Sequence, residues 1–413
     1  MQLYIMSSKQ NNLWWGPPKN FDERKHERKI SWLELFYDLV YVAAISQLTH
    51  HIAAYPSWHT LAFSFLLFSM IFWSWVNGSQ YYDLHGNDSI RTRLLTFWQM
   101  LAVAAVAVTV ADAFEGEHKA FSISFAVVQI IITYLWWSVG FYDPSHRVFS
   151  KFFTYNYILA FLLLVASAFT SYNIAIILWI IVLLLDLSPS LIGAATIVKE
   201  LKKRNQVFTA SATLVERFGL FTIIVLAESI LGIVSGIAEI KDKYPAAWIA
   251  FIIGILIAFL LWSIYFDMTS EQETKQGYHY LQWLIFLHFP LLAAFGSVGA
   301  CIKVLLTDMR ADLHKEVQWI FCVSLATILL TIIGITKIMK EGEEDRTYIR
   351  PVSRLLIIAG LIILLIPLFG YYFDTLTFLA IIAFILLIPV LIGVRSWVRY
   401  KFFSGSTDDQ NEL

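Results

Sequence analysis

The chain has 413 residues, 58% of them apolar and only 15% charged, with a net charge of −1. A soluble domain carries about a quarter charged residues, so this composition excludes a soluble multidomain protein and points to an all-α, polytopic integral membrane protein. Basic residues scattered among short loops, without a recognition motif, exclude nucleic-acid binding.

Residues 1–30 read as a cytoplasmic tail: they hold the mixed-charge run Asp22 to Lys29 but no apolar core or small-residue cleavage site, so no signal peptide is expected. Apolar runs of spanning length then follow at 31–52, 58–80, 94–114, 120–142, 152–171, 173–197, 214–237, 246–267, 280–301, 317–337, 352–371 and 374–395. They predict twelve transmembrane helices, with tight turns at Thr170-Ser171-Tyr172-Asn173 and Gly370 to Asp374. With the amino terminus inside, most of the 30 Lys and Arg fall in inner loops and tails, and the outer loops hold Lys119, Lys241, Lys243, Lys303, Arg310 and Lys315. By the positive-inside rule both termini are then expected to be cytoplasmic. The predicted organisation is a first six-helix half at 31–198, a basic linker at 199–211, a second half at 212–395 and a cytoplasmic tail at 396–413.

The first helix carries two carboxylates, Glu34 and Asp38, four residues apart and therefore on one face, about 6 Å apart along the axis. Lipid penalises either anion, so that face turns inward, and the mutual repulsion calls for a cation, an Arg or Lys partner, or one protonated member. The second helix ends in Tyr81-Tyr82-Asp83, and Asp83, Asp88, Arg91 and Arg93 flank the next loop as a cytoplasmic gate or a solvated turn. In the sixth helix Asp186 precedes Ser188-Pro189-Ser190, where proline removes a backbone donor; the segment resembles the broken helix of an ion site, and an architectural kink is the alternative. The seventh helix opens with Glu216-Arg217 and places Glu228 about 17 Å further on, near the bilayer midplane. The eighth ends in Tyr265-Phe266-Asp267, and the ninth carries His288 two residues before Pro290, where it would reach Glu228 or a substrate or rest as a neutral core histidine. No His/Cys/Asp/Glu spacing forms a metal motif, and no cofactor is expected. Cys301 and Cys322 read as small packing residues.

Shifting the chain by 185 residues lays Leu35-Phe36 over Leu220-Phe221, and a shift of 184 lays Tyr81 over Tyr265 and Asp83 over Asp267. Two parallel six-helix repeats would produce this pattern, as in many transporters. The strings Lys29 to Val42, Tyr81-Tyr82-Asp83, Glu216 to Phe221 and Ile224 to Ser229 resemble the bacterial low temperature requirement A family, through nearly all of the chain from about residue 24. The resemblance implies a membrane protein linked to growth in the cold and draws attention to Glu34, Asp38, Glu216, Arg217 and Glu228; it supplies no substrate or reaction.

On the residues, a secondary transporter or ion-coupled permease is the leading expectation, acting on a small solute or ion with protons as one coupling species. Asp38 and Glu228 would be the coupling carboxylates, Asp186 and His288 cavity-wall residues, Glu34, Arg217 and Glu216 a structural or gating ion-pair group, and Asp83, Arg91 and Asp267 the cytoplasmic gate. A non-transporting scaffold or sensor and an intramembrane enzyme are the alternatives; no enzyme motif is present, so an enzyme is not expected.

Overall fold

The computed structural model describes residues 16–19, 29–87, 89–143, 147–192, 198–199, 210–241, 243–269, 273–309, 314–340 and 343–408. Asp88, nearly all of the amino-terminal tail and most of the 199–211 linker lie outside the described residues.

Among these residues twelve α-helices follow one another: α1 (Trp32–Ala54), α2 (Trp58–His85), α3 (Ile90–Phe114), α4 (His118–Tyr142), α5 (Arg147–Ser167), α6 (Tyr172–Leu191), α7 (Ala212–Glu239), α8 (Pro245–Thr269), α9 (Tyr278–Thr307), α10 (Lys315–Ile338), α11 (Glu343–Leu365) and α12 (Thr375–Asp408). The eleven from α2 onward are long and apolar enough to cross a membrane. α1 is less apolar because Glu34 and Asp38 interrupt it, yet its 23 residues rise about 35 Å, enough to span. Its buried positions, Tyr37, Asp38, Tyr41, Ala44, Ile45, Leu48 and Ile52, recur at helical spacing and form one inward face. Mid-helix apolar side chains such as Val108 (79% exposed) and Leu184 (61% exposed) have no protein covering and require lipid around them. The all-helical, multi-pass architecture read from hydropathy is therefore the one observed.

The helix ends depart furthest from the hydropathy reading in α11 and α12. α11 begins at Glu343 rather than 352 and ends at Leu365, passing into 3-10 turns at Ile366–Leu368 and Gly370–Tyr372. α12 runs past 395 as far as Asp408, continuing beyond the apolar span that ends at Ser396.

The chain divides into two compact units, one of Met1–Leu48, Ser64–Phe221 and Gln276–Gln282, the other of Thr49–Phe63, Thr222–Lys275 and Trp283–Leu413. In the first unit, α2 and α4 close on each other through Tyr81, Tyr82, Leu135 and Val139, with Leu95 of α3 against them. Trp75 of α2 stacks on Phe221 of α7, centroids 4.1 Å apart, and meets Phe218 edge-on at 5.1 Å. The turn between α3 and α4 passes through Gly116 at φ 93°, a left-handed conformation that favours glycine.

In the second unit, α7 and α9 approach closely through small residues. A Cβ at Gly299 would lie 2.6 Å from Ser229 Cα, and one at Gly236 3.1 Å from the Lys303 carbonyl oxygen. The Ser229 hydroxyl donates to the Phe295 carbonyl at 3.0 Å across the same seam. The spacing Gly232-x-x-x-Gly236 is the pattern that lets two membrane helices pack backbone to backbone. The loops after α8 and α10 pair through a single antiparallel bridge, Thr274 with Met339, the only β-bridge among the described residues. Beside it Lys340 forms an ion pair with Glu273, whose hydrogen bond and positive charge hold the Glu273 carboxyl below the usual glutamate range.

Candidate functional site

Three charges from two helices meet in the first unit. Ser31 and Glu34 open α1 as a capping box: the Ser31 hydroxyl accepts the Glu34 backbone N–H at 3.3 Å and donates to Glu34 Oε1 at 2.9 Å. This anchors one oxygen of Glu34 at the helix start and leaves Oε2 facing Arg217 Nη1 at 3.4 Å. One turn on, Asp38 receives Arg217 Nη2 on Oδ1 at 2.8 Å and Arg217 Nε on both oxygens at 3.2 Å. Trp75 Nε1 donates to the same Oδ1 at 2.6 Å. Arg217 is thus bound chiefly to Asp38, with Glu34 the more distant partner, a consequence of the four-residue spacing that lines both acids along one face. Glu216, placed with this group from sequence, is exposed and forms no ion pair with Arg217, because neighbouring helix positions point about 100° apart.

The triad is enclosed. Side-chain exposure is 1% for Arg217, 0% for Asp38 and 7% for Glu34. Aromatic rings complete the shell, with the guanidinium carbon 5.3 Å from the Tyr37 ring centroid and 5.8 Å from that of Trp75. Gln99 Nε2 donates to the hydroxyls of Tyr37, at 2.8 Å, and Tyr41, at 3.1 Å, and Ser74 donates to Tyr41 at 3.2 Å. Gly78 leaves room for this arrangement: a Cβ there would lie 2.0 Å from the Tyr37 hydroxyl. Buried ions are tolerated only when paired and hydrogen-bonded, and Asp38 and Arg217 meet that condition. Among the described residues two carboxylates, Glu34 and Asp38, converge on the one Arg217 guanidinium.

Asp186 lies elsewhere in the same unit. Its Oδ1 accepts Gln129 Nε2 at 2.8 Å, and its backbone carbonyl accepts Trp73 Nε1 at 2.9 Å. The sequence leaves two readings open for this segment, a broken helix and an architectural proline; the helix is continuous. α6 continues to Leu191 because the Leu185 carbonyl, which Pro189 deprives of its usual donor, receives the Ser188 hydroxyl at 2.8 Å instead. Beside it, Asn77 Oδ1 receives Tyr157 at 2.5 Å and Trp136 Nε1 at 3.2 Å, so a band of polar groups runs through the helices of this unit.

Of the expected gate residues, Asp83 accepts the Ser211 hydroxyl. Arg91 forms no ion pair with it; the Arg91 guanidinium is buried against the rings of Tyr134 and Tyr142, 5.6 and 5.9 Å from their centroids. In the second unit Asp267 is exposed and accepts Ser263 at 2.6 Å. Glu228 faces His50 Nε2 at 3.5 Å, with side-chain exposures of 10% and 56%. His288 lies against the Leu284 carbonyl through Nδ1, at 2.7 Å, and the Tyr265 hydroxyl through Nε2, at 2.9 Å. A carbonyl only accepts, so Nδ1 carries the proton and Nε2 takes that of Tyr265.

Sequence reasoning identified both acids and the arginine but missed Trp75, Gln99 and Ser31. The Ser31-x-x-Glu34 capping box before an apolar run was a legible signal for Ser31. Trp75 and Gln99 had none, since a tryptophan or a lone glutamine in an apolar helix looks the same whether or not it faces a charge.

The family described as bacterial low temperature requirement A protein matches residues 29–391, a range that holds Glu34, Asp38, Arg217 and Glu228. A protein of Rhizobium meliloti (strain 1021), described as uncharacterized protein RA0937, is 25% identical over 315 residues, covering 72% of this chain and 74% of that protein.

Proposed function

The chain belongs to the bacterial low temperature requirement A family, and from that premise we propose that it is an ion-coupled secondary transporter, not an enzyme, that moves a small solute or ion across the bacterial inner membrane. One observation carries the reading: a buried cluster in which Glu34 and Asp38, two ionisable carboxylates four residues apart, converge on Arg217. Like charges so close repel each other, and the repulsion is relieved when one carboxylate takes up a proton or small monovalent cation. Asp38 is the fixed member, held by Arg217 and Trp75. Glu34 is the exchangeable one, more distant from Arg217 and placed in the first turn of α1, where it is within reach of the aqueous face. In the second unit Glu228, facing His50, serves as a second exchange point. Asp186 in the first unit and His288 in the second are polar residues whose hydrogen bonds with Gln129 and Tyr265 shift as their helices move.

The orientation is part of the proposal: the distribution of Lys and Arg supports cytoplasmic termini, and two parallel halves, 31–198 and 212–395, would supply the moving bodies. The completeness of the Asp38 hydrogen bonds favours a second reading, a scaffold in which the same charges only lock α1 to α7. Purified protein in liposomes containing a pH-sensitive dye separates the two. A screen of ions and small metabolites that yields a solute-dependent proton signal, lost in Glu228→Gln, supports transport; the absence of any such signal in folded protein overturns it.

A further inference from the structure

A second polar feature lies away from the triad, on the outside of the helix assembly. The end of α4 and the start of α5 enclose an open groove of about 300 Å³. Its floor is set by a close approach: the Gly140 backbone N–H donates to the Ser150 hydroxyl at 3.1 Å, and a Cβ at Gly140 would lie 2.4 Å from that oxygen. Arg147 and Lys151 line one end of the groove, and Trp137, Phe141, Tyr155 and Ile158 form its apolar wall.

The two cations are in an unusual position. They are four residues apart on one helix, where like charges repel, both are exposed, and neither forms an ion pair with an acid among the described residues. Arg147 is already oriented, because its Nε donates to the Gly140 carbonyl at 3.1 Å; its terminal nitrogens have no protein acceptor among the described residues. An anion between the two side chains removes the repulsion and satisfies those donors.

Depth identifies the rest of the ligand. The apolar span of α5 runs over Ser150–Ser167, so Arg147 lies just outside it and Lys151 in its first turn, at the level of lipid headgroups. The wall residues lead from there into the hydrocarbon region, with Trp137 stacked on Phe141 at 5.5 Å and Tyr155 69% exposed, as in an interfacial aromatic belt. A free phosphate would leave this wall without an occupant. We propose that the groove between α4 and α5 is a binding site for an anionic phospholipid, the headgroup phosphate held by Arg147 and Lys151 and an acyl chain lying along Trp137, Phe141, Tyr155 and Ile158. The site requires only that α4 and α5 cross a bilayer; it does not depend on transport.

Native mass spectrometry of the full chain, released from detergent with phosphatidylglycerol or phosphatidylcholine added, tests this. The wild type retains one phosphatidylglycerol in preference to phosphatidylcholine. Arg147→Gln with Lys151→Gln weakens that retention about 30-fold, from about fivefold for each basic residue near the surface, while Lys315→Gln, in α10, leaves it unchanged. Tyr155→Ala weakens it while leaving both charges in place, and inorganic phosphate does not displace the lipid. Equal retention of the two lipids, or undiminished retention in the double variant, overturns the proposal. Displacement by inorganic phosphate with no effect of Tyr155→Ala overturns the lipid assignment in favour of a phosphate site. Should the double variant not fold, Lys151→Gln alone, at an exposed position, decides by the same comparison, with about fivefold weaker retention expected.

Discussion

Arg217 is the residue whose removal the structure tolerates least. Its loss leaves Asp38 buried, fully enclosed and facing only the Trp75 N–H, and breaking a buried pair in this way costs about 3–5 kcal/mol. Arg217→Ala should therefore lower the yield of folded protein and its thermal midpoint. Adding Asp38→Asn should restore part of both, because the stranded charge goes with it. A double variant no better than the sum of the two single ones would show that the pair is not coupled. Ser31 matters for a different reason: by capping α1 it fixes one oxygen of Glu34 and so determines which oxygen meets Arg217. At this scale the sequence was informative about charges and silent about their neighbours. Glu34, Asp38 and Arg217 stood out because ions are rare in apolar helices. Their ranking did not, since the choice of Asp38 over Glu34 depends on side-chain reach across a helix interface that no spacing rule specifies.

The helices show the same division between periodic and non-periodic information. Hydropathy marked all twelve, since an apolar run of spanning length has few alternatives, whereas the ends of α11 and α12 are set by turn geometry and helix continuation beyond the apolar span. Proline leaves two readings open near Asp186, a broken helix and an architectural kink; the adjacent Ser188 hydroxyl replaces the donor missing at Pro189, and α6 continues. The α7–α9 seam was legible in principle through Gly232-x-x-x-Gly236, although nothing in α7 alone points to Gly299 as its counterpart. Gly299→Ala places a methyl group against the Ser229 backbone, so the helices must separate. Overpacking of this kind costs about 1–3 kcal/mol. A lower thermal midpoint is the expected result, with Gly360→Ala, where a Cβ meets its nearest atoms at 3.9 Å, as the tolerated control. Equal midpoints for the two variants would show that the seam is not under steric constraint.

For the whole molecule, the account rests on orientation and on the two carboxylates of α1. Orientation is checked by a cysteine placed at Gln206 in the basic linker, in a background lacking Cys301 and Cys322: a membrane-impermeant thiol reagent should label it only after the cells are opened, and labelling of intact cells would invert the topology. Proton exchange at these carboxylates is the stronger claim, since it distinguishes a transporter from a locked bundle built of the same helices. Glu34→Gln preserves the shape of the side chain and one acceptor oxygen while removing the ionisable carboxyl from the cluster with Asp38 and Arg217. The direct test is solute-driven proton flux in proteoliposomes holding equal amounts of folded wild type and Glu34→Gln, measured from acidic to alkaline pH. The account predicts flux in the wild type and none in Glu34→Gln; flux in the variant equal to that of the wild type at every pH would contradict it.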